Sequence, residues 1–241
     1  MPFTVTQPLG RVPTFAELQA LAGQHGVQIH GDARAGDEAP RRFEVATRLK
    51  EAPPGVIPNR GQGDLPARLA TFKAEAETAQ ASLAEVAGWA DAPAEIARFL
   101  RENNCPATLR MGADPRLAAM PWSETALEIL HGASDGRDAN AVSAAFAGIA
   151  ETGTLALVSG ADNPTTLNFL ADNDIVVLPR EVILADYESL FAQLRGAYGK
   201  GGAPRTLNFI TGPSRSADIE QTLLLGAHGP RRLHIVVVGA P

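Results

Sequence analysis

An α/β fold built on a mostly parallel sheet, with helices on both faces, is predicted by three observations. Short apolar runs such as Leu155 to Val158, Ile175 to Leu178 and His234 to Val238 lack the polar alternation of a half-exposed strand. They read as strands buried on both faces. Segments with helical spacing fall between such runs, which is the order of a parallel sheet with crossover helices. Finally, the chain has 241 residues, 45% apolar and 20% charged, enough for a well-buried core.

Taken in order, the first expected element is a small helix between Thr14 and Gly26, with Thr14 as N-cap and Phe15, Leu18, Leu21 and Ala22 on one face. The stretches Gly31 to Arg42 and Ala52 to Asp64 are rich in Gly, Pro, Asp and Arg. They read as loops around a short piece near Phe43 to Leu49. The expected division is an N-terminal extension over 1–42, partly loop, and an α/β domain over 43–241 that opens with a helical segment at about 66–102. From Pro66 to Trp89, Leu69, Phe72, Ala76, Leu83 and Val86 recur at helical spacing, predicting one long amphipathic helix. A face packed on the core is its plain reading and a partner-binding helix the alternative. Next come helix Ala94 to Glu102, strands Ala107 to Met111 and Leu127 to Leu130, helix Ala139 to Ala147 and strand Leu155 to Val158. A short helix Thr166 to Ala171, strand Ile175 to Leu178, helix Tyr187 to Tyr198, strand Leu207 to Ile210, helix Ala217 to Ala227 and strand His234 to Val238 complete the series.

Composition excludes several function classes. The net charge is −6 and no Lys/Arg cluster is dense enough to track phosphates, so nucleic acid is not an expected partner. The single cysteine, Cys105, rules out an intramolecular disulfide and an all-cysteine iron–sulfur cluster within this chain. No basic-then-apolar leader and no bilayer-length apolar run is seen, so a cytoplasmic protein is expected. His25, His30, His131 and His234 have no partner at metal-ligand spacing, and no protein metal site is expected. Neither G-x-G-x-x-G after a strand nor a P-loop pattern is present, which gives no support for a dinucleotide.

The segment Thr211-Gly212-Pro213-Ser214-Arg215-Ser216-Ala217-Asp218-Ile219-Glu220 follows the apolar run Leu207 to Ile210. It reads as strand, tight loop and helix N-terminus. Unpartnered N–H groups and the helix dipole make such a terminus an anion site. Thr211, Gly212, Ser214, Arg215 and Ser216 are the candidate anion-binding residues, Arg215 supplying a planar fork for a carboxylate. The competing reading has Ser216 as a simple cap, Gly212-Pro213 as a turn, and Asp218 or Glu220 pairing Arg215. The loop Ser159 to Thr165 follows another strand, and the two loops are expected to face one crevice. Glu151 opens the turn Glu151-Thr152-Gly153-Thr154, where a desolvated carboxylate acts as base or nucleophile and Thr152, Gly153 and Thr154 join the candidate binding set. A turn residue bonding local N–H groups is the alternative. His228, before Gly229-Pro230, is either a helix C-terminal cap or a proton acceptor.

The string TGPSRSADIEQTLLLGAHGPRRLHIVVV, from Thr211 to Val238, resembles the C-terminal signature of the lactate utilization protein C family, whose domain is called the LUD domain. Ile149-Ala150-Glu151-Thr152-Gly153-Thr154-Leu155 is a second match, and Pro179-Arg180 falls between the two. The resemblance covers roughly Phe43 to Val238. It implies a Rossmann-like sheet similar to the isomerase and CoA-transferase superfamily. It also implies the cluster-free subunit of an iron–sulfur system oxidising L-lactate to pyruvate, with the clusters on partner subunits, no cofactor in this chain, and a small carboxylate bound or an assembly supported. A free-standing enzyme related to CoA transferases or sugar-phosphate isomerases, and a scaffold or regulatory subunit, are the alternatives.

Overall fold

The computed structural model describes residues 38–51, 55–199, 201–217, 223–226 and 228–239. The expected helix at Thr14 to Gly26 and residues Asp218 to Glu220 lie outside them. The chain divides into two compact units, Met1–Pro54 and Gly55–Pro241. In the first, helix α1 spans Glu38–Glu51, so Phe43 to Leu49 is helical and Glu38 to Arg42 is not loop.

The second unit opens with helix α2, Leu65–Thr78, started by Asp64, whose side chain accepts from the Ala67 N–H at 3.0 Å, and by Pro66 in the first turn. Leu69, Phe72 and Ala76 are its buried face. The expected helix running on to Trp89 ends here instead. Gln80 adopts a left-handed φ of 70°, the Ala81 N–H bonds back to the Ala76 carbonyl and the Gln80 N–H to that of Glu77. This is a Schellman stop formed without glycine. Leu83 then belongs to strand β1, Ser82–Val86, and helix α3 follows at Ala92–Glu102.

Strands β2 (Thr108–Met111) and β3 (Glu128–His131) flank a single turn, α4 (Pro115–Ala118). The expected helix Ala139 to Ala147 is absent: Asn140–Ala144 is strand β4 and Ala147–Ile149 strand β5. All five residues of β4 are buried, and tertiary burial in the sheet overrides the helix preference of alanine. Strand β6 (Thr154–Val158), the turn α5 (Leu167–Leu170), β7 (Asn173–Pro179), β8 (Ile183–Leu184), α6 (Tyr187–Tyr198) and β9 (Leu207–Ile210) follow. Arg215–Ala217 and Leu223–Leu225 are strands β10 and β11, paired antiparallel, with Arg215 opposite Leu225. None of the described residues between Ala217 and Ala227 is helical. Strand β12, Arg232–Val238, closes the series.

A six-stranded sheet of order β1-β12-β7-β4-β2-β3 is parallel throughout. Successive residues of β7 and β12 feed opposite cores. Ile175, Val177, Val236 and Val238 pack with Ile96, Phe99 and Leu100 of α3. Val176, Leu178, Leu233, Ile235 and Val237 pack with Leu69, Phe72 and Ala76 of α2 and with Leu155 and Leu157 of β6. The α/β class with layers on both faces is therefore as the sequence predicts. Unforeseen is a second sheet, β8-β5-β6-β9, in which β6 runs antiparallel to both neighbours. Helix α6 covers that sheet through Leu190 and Leu194.

Candidate functional site

The pairing of β6 with β9 decides which loops meet. Leu155 lies opposite Ile210 and Val158 opposite Leu207. The loop after β6, Ser159 to Thr165, and the loop after β9, Thr211 to Ser216, therefore leave opposite ends of the pair and do not share a crevice. The first folds onto the carboxyl end of β2, where the Ala113 N–H bonds the Asp162 carbonyl at 2.8 Å. The second meets the start of β6.

At that end the two singled-out turns are joined by hydroxyls. Thr154 Oγ1 lies 2.6 Å from Thr211 Oγ1 and 2.7 Å from Thr152 Oγ1, and the Tyr187 hydroxyl stands 3.3 Å from Thr154. Thr154 is fully buried, whereas Thr211 is exposed, so the chain of hydroxyls runs from the core to solvent. Phe209 packs its exposed ring edge-on against Tyr187 at 5.4 Å.

Glu151 sits beside this run, buried, with Oε2 lacking a hydrogen-bond partner. Its backbone N–H bonds the Ala185 carbonyl at 3.1 Å. Burial raises its pKa above the usual carboxylate value, the charge of Asp186 raises it further, and Arg60 opposes both. Asp186 behaves oppositely. Although burial works against its charge, the Ser189 N–H at 2.7 Å, at the start of α6, and Gln62 Nε2 at 2.7 Å hold its pKa below the usual range. Two neighbouring carboxyls whose pKa values are pushed apart by their surroundings are the pattern in which acid and base roles are sought. Sequence reasoning missed Asp186, although its position just before the predicted helix Tyr187 to Tyr198 is an N-cap signal. Gln62 and Arg60, in a Gly- and Pro-rich stretch, carried no signal.

The glycines serve another purpose than close approach of a ligand. Gly153 has φ 62° and a Cβ there would stand 2.3 Å from the Ala76 nitrogen; Gly212 has φ 72° and a Cβ would stand 2.1 Å from the Ala79 carbonyl oxygen. Both turns dock on the C-terminal end of α2. Ser214 accepts the His228 N–H at 3.3 Å, and its own N–H bonds the Pro230 carbonyl. This ties the base of the β10–β11 hairpin together. Arg215 and His228 are exposed. With Arg215–Ala217 in strand β10 and Leu223–Leu225 in strand β11, the described residues hold neither the helix N-terminus expected to bind an anion nor the helix end that His228 would cap.

Comparison with known proteins bears on the same region. Residues 138–238 match the LUD domain family model. That stretch holds Glu151, the threonines and the β10–β11 hairpin. The LUD match agrees with the resemblance carried by the two strings. Among curated relatives, lactate utilization protein C of Geobacillus kaustophilus (strain HTA426) is 37% identical over 91 residues, which is 37% of this chain and 38% of the relative. Lactate utilization protein C of Geobacillus thermodenitrificans (strain NG80-2) is 32% identical over 126 residues, 49% of this chain and 52% of the relative. The matches thus span about half or less of these relatives' length. The crystal structure of a DUF162 family protein from Deinococcus radiodurans is similar with a TM-score of 0.54 and 23% identity, covering 74% of this chain and 100% of that one; the likeness extends to the fold. Among the described residues, no helix is long and apolar enough to cross a membrane.

Proposed function

We propose that this chain acts in lactate utilization, as the cluster-free subunit of a system oxidising L-lactate to pyruvate, with iron–sulfur clusters on partner subunits. The observation that carries the reading is the match of residues 138–238, which include Glu151 and Thr154, to the LUD domain, together with this chain's curated relatives named lactate utilization protein C. The site's chemistry is compatible. A buried carboxyl with a raised pKa beside hydroxyls open to solvent can exchange a proton with the hydroxyl of a small hydroxy acid. Arg60 is the cation whose charge reaches Glu151. One cysteine leaves this chain unable to supply the thiolates of a cluster, so electrons taken from lactate would pass to clusters on the partners.

The test is a pull-down of the chain from lactate-grown cells of its source, with lactate-dependent dye reduction assayed on the eluate. Co-purified iron–sulfur subunits with activity, reduced at least ~100-fold by Glu151→Gln, support the reading. An inactive, lone protein overturns it. A second reading, a free-standing enzyme related to CoA transferases with Glu151 as nucleophile, is favoured by the desolvated, unpartnered Oε2. It predicts turnover by the purified chain alone.

A further inference from the structure

We propose that Ser82, His234 and Glu95 form a nucleophile–base–orienter relay that hydrolyses small, negatively charged esters in a cleft at the amino end of β1 and β12. The cleft has a volume of about 470 Å³ and is lined by Ser82, His234, Phe99, Arg98, Arg231 and Arg232 among others. It belongs to the six-stranded parallel sheet and shares no residue with the Glu151 site.

Register creates the relay. Ser82 and His234 are direct partners on the parallel strands β1 and β12, and Ser82 Oγ stands 2.8 Å from His234 Nδ1. On the far side of the ring, Nε2 faces Glu95 Oε1 of α3 at 3.3 Å. The two atoms are not aligned as a hydrogen bond, and Nε2 is buried without a hydrogen-bond partner, so the relay needs a small reorientation of the Glu95 carboxylate when substrate arrives. Ser82 is exposed, while His234 retains only 2% of its accessibility. The Phe99 ring stacks on the imidazole at 4.0 Å and 6°. Arg98 grips both oxygens of Glu95, through Nε at 2.7 Å and Nη2 at 2.5 Å. Ring and carboxylate are thus each held in place, which a relay requires.

Burial lowers the His234 pKa to about 4, so the imidazole is neutral near pH 7 and Nδ1 is free to accept once Nε2 carries the proton toward Glu95. The Ser82 hydroxyl also lies 3.4 Å from the Leu233 carbonyl, its resting alternative. In the reaction, Ser82 Oγ bonds to the ester carbonyl carbon as its proton passes to Nδ1. The bond to the leaving alkoxide breaks and the alkoxide takes that proton. Water then attacks the acyl-serine by the same route, releasing the acid and restoring Ser82. Glu77 and Glu102 line the cleft too and Arg98 is taken up by Glu95 and Glu102, so Arg231 and Arg232 are the cations left to favour an anionic substrate and a developing oxyanion. The Ser82 and His234 side chains are the catalytic residues, and Glu95 is a positioning residue.

The test treats the full chain with a fluorophosphonate probe and maps the modified peptide, then follows p-nitrophenolate release from mono-p-nitrophenyl succinate and from neutral p-nitrophenyl acetate. Labelling of Ser82 is expected, with a burst absent in Ser82→Ala and labelling slowed at least ~100-fold in His234→Gln. Glu95→Gln is expected to slow the burst at least ~10-fold without changing its amplitude, which keeps the test decisive where the His234 variant fails to fold. The succinate ester should exceed the acetate in kcat/KM by at least ~10-fold, about 1.4 kcal/mol. No label on Ser82, or labelling at wild-type rate in Glu95→Gln, would overturn the relay. Equal turnover of the two esters would overturn the anionic selectivity.

Discussion

Thr154 and Thr211, 57 positions apart in sequence, share a hydroxyl contact of 2.6 Å that joins the start of β6 to the end of β9. Thr154 is fully buried and its Oγ1 has Thr152, Thr211 and Tyr187 within reach. Replacing it by valine keeps the shape and leaves these hydroxyls to find other partners. Thr154→Val should cost about 1–2 kcal/mol, read from urea unfolding, and under the proposed function should also lower lactate-dependent dye reduction of the pulled-down assembly.

The Gly153 turn tolerates no side chain. Its φ of 62° and the 2.3 Å approach to the Ala76 nitrogen act together, and Gly153→Ala is expected to cost at least ~2 kcal/mol. The same change at Gly196, where nothing lies within 4 Å of the added Cβ in the middle of α6, should stabilise by up to ~1 kcal/mol. Thermal midpoints of the two variants moving in the same direction would contradict this.

Asp186 couples the start of α6 to Glu151. Its carboxylate accepts the Ser189 N–H and raises the Glu151 pKa by its charge. Asp186→Asn should keep most of the cap, since asparagine is an equally good N-cap residue, yet lower the Glu151 pKa. Carboxyl NMR titration of the two proteins checks the direction of the shift.

Two buried groups make opposite contributions to the pH dependence of stability. His234, with its pKa lowered to about 4 by burial, binds its proton less readily folded than unfolded, so the stability it confers is present above about 6.5 and lost as pH falls toward 4. The loss is ~3 kcal/mol from the size of the shift. Ser82, Glu95 and Arg98 are the groups around it. Asp174, on β7, is only 1% exposed with both oxygens unpartnered, and burial raises its pKa well above the usual value. Its contribution has the opposite sign: it is full below the ordinary aspartate pKa and lost as pH rises through the raised one. Asp174→Asn should therefore flatten the fall of unfolding free energy as pH rises above the ordinary aspartate pKa, and His234→Gln the fall as pH drops below about 6.5.

Much of the architecture was legible. The runs Leu155 to Val158, Ile175 to Leu178 and His234 to Val238 are strands because a doubly covered sheet needs unbroken apolar residues, and helix Tyr187 to Tyr198 stands at its predicted bounds. Three misreadings share a cause. Alanine-rich β4 is settled by its distant neighbours β2 and β7, the Gln80 stop is a left-handed turn without the glycine that would signal it, and β10–β11 is a hairpin whose pairing the helical spacing of its residues does not record. At the site, Glu151, Thr152, Thr154 and Thr211 were singled out and are brought together, but the reason given for Thr211 was a helix terminus that does not form. Its actual partner, Thr154, is set by antiparallel register. Gly61, whose added Cβ would stand 2.5 Å from the Ala185 carbonyl oxygen, and Asp186 were missed because their roles depend on the loop before α2 closing over β5 and β8.

The two strings by which the sequence is recognised both contain a glycine pressed against the last turn of α2. Their kinship signal is thus in part that of a hinge pin: it records how one helix end is clamped between two turns. A chain sharing only these strings would inherit the clamp, while Asp186, held by Gln62 and the Ser189 N–H, lies outside both strings and would not come with it.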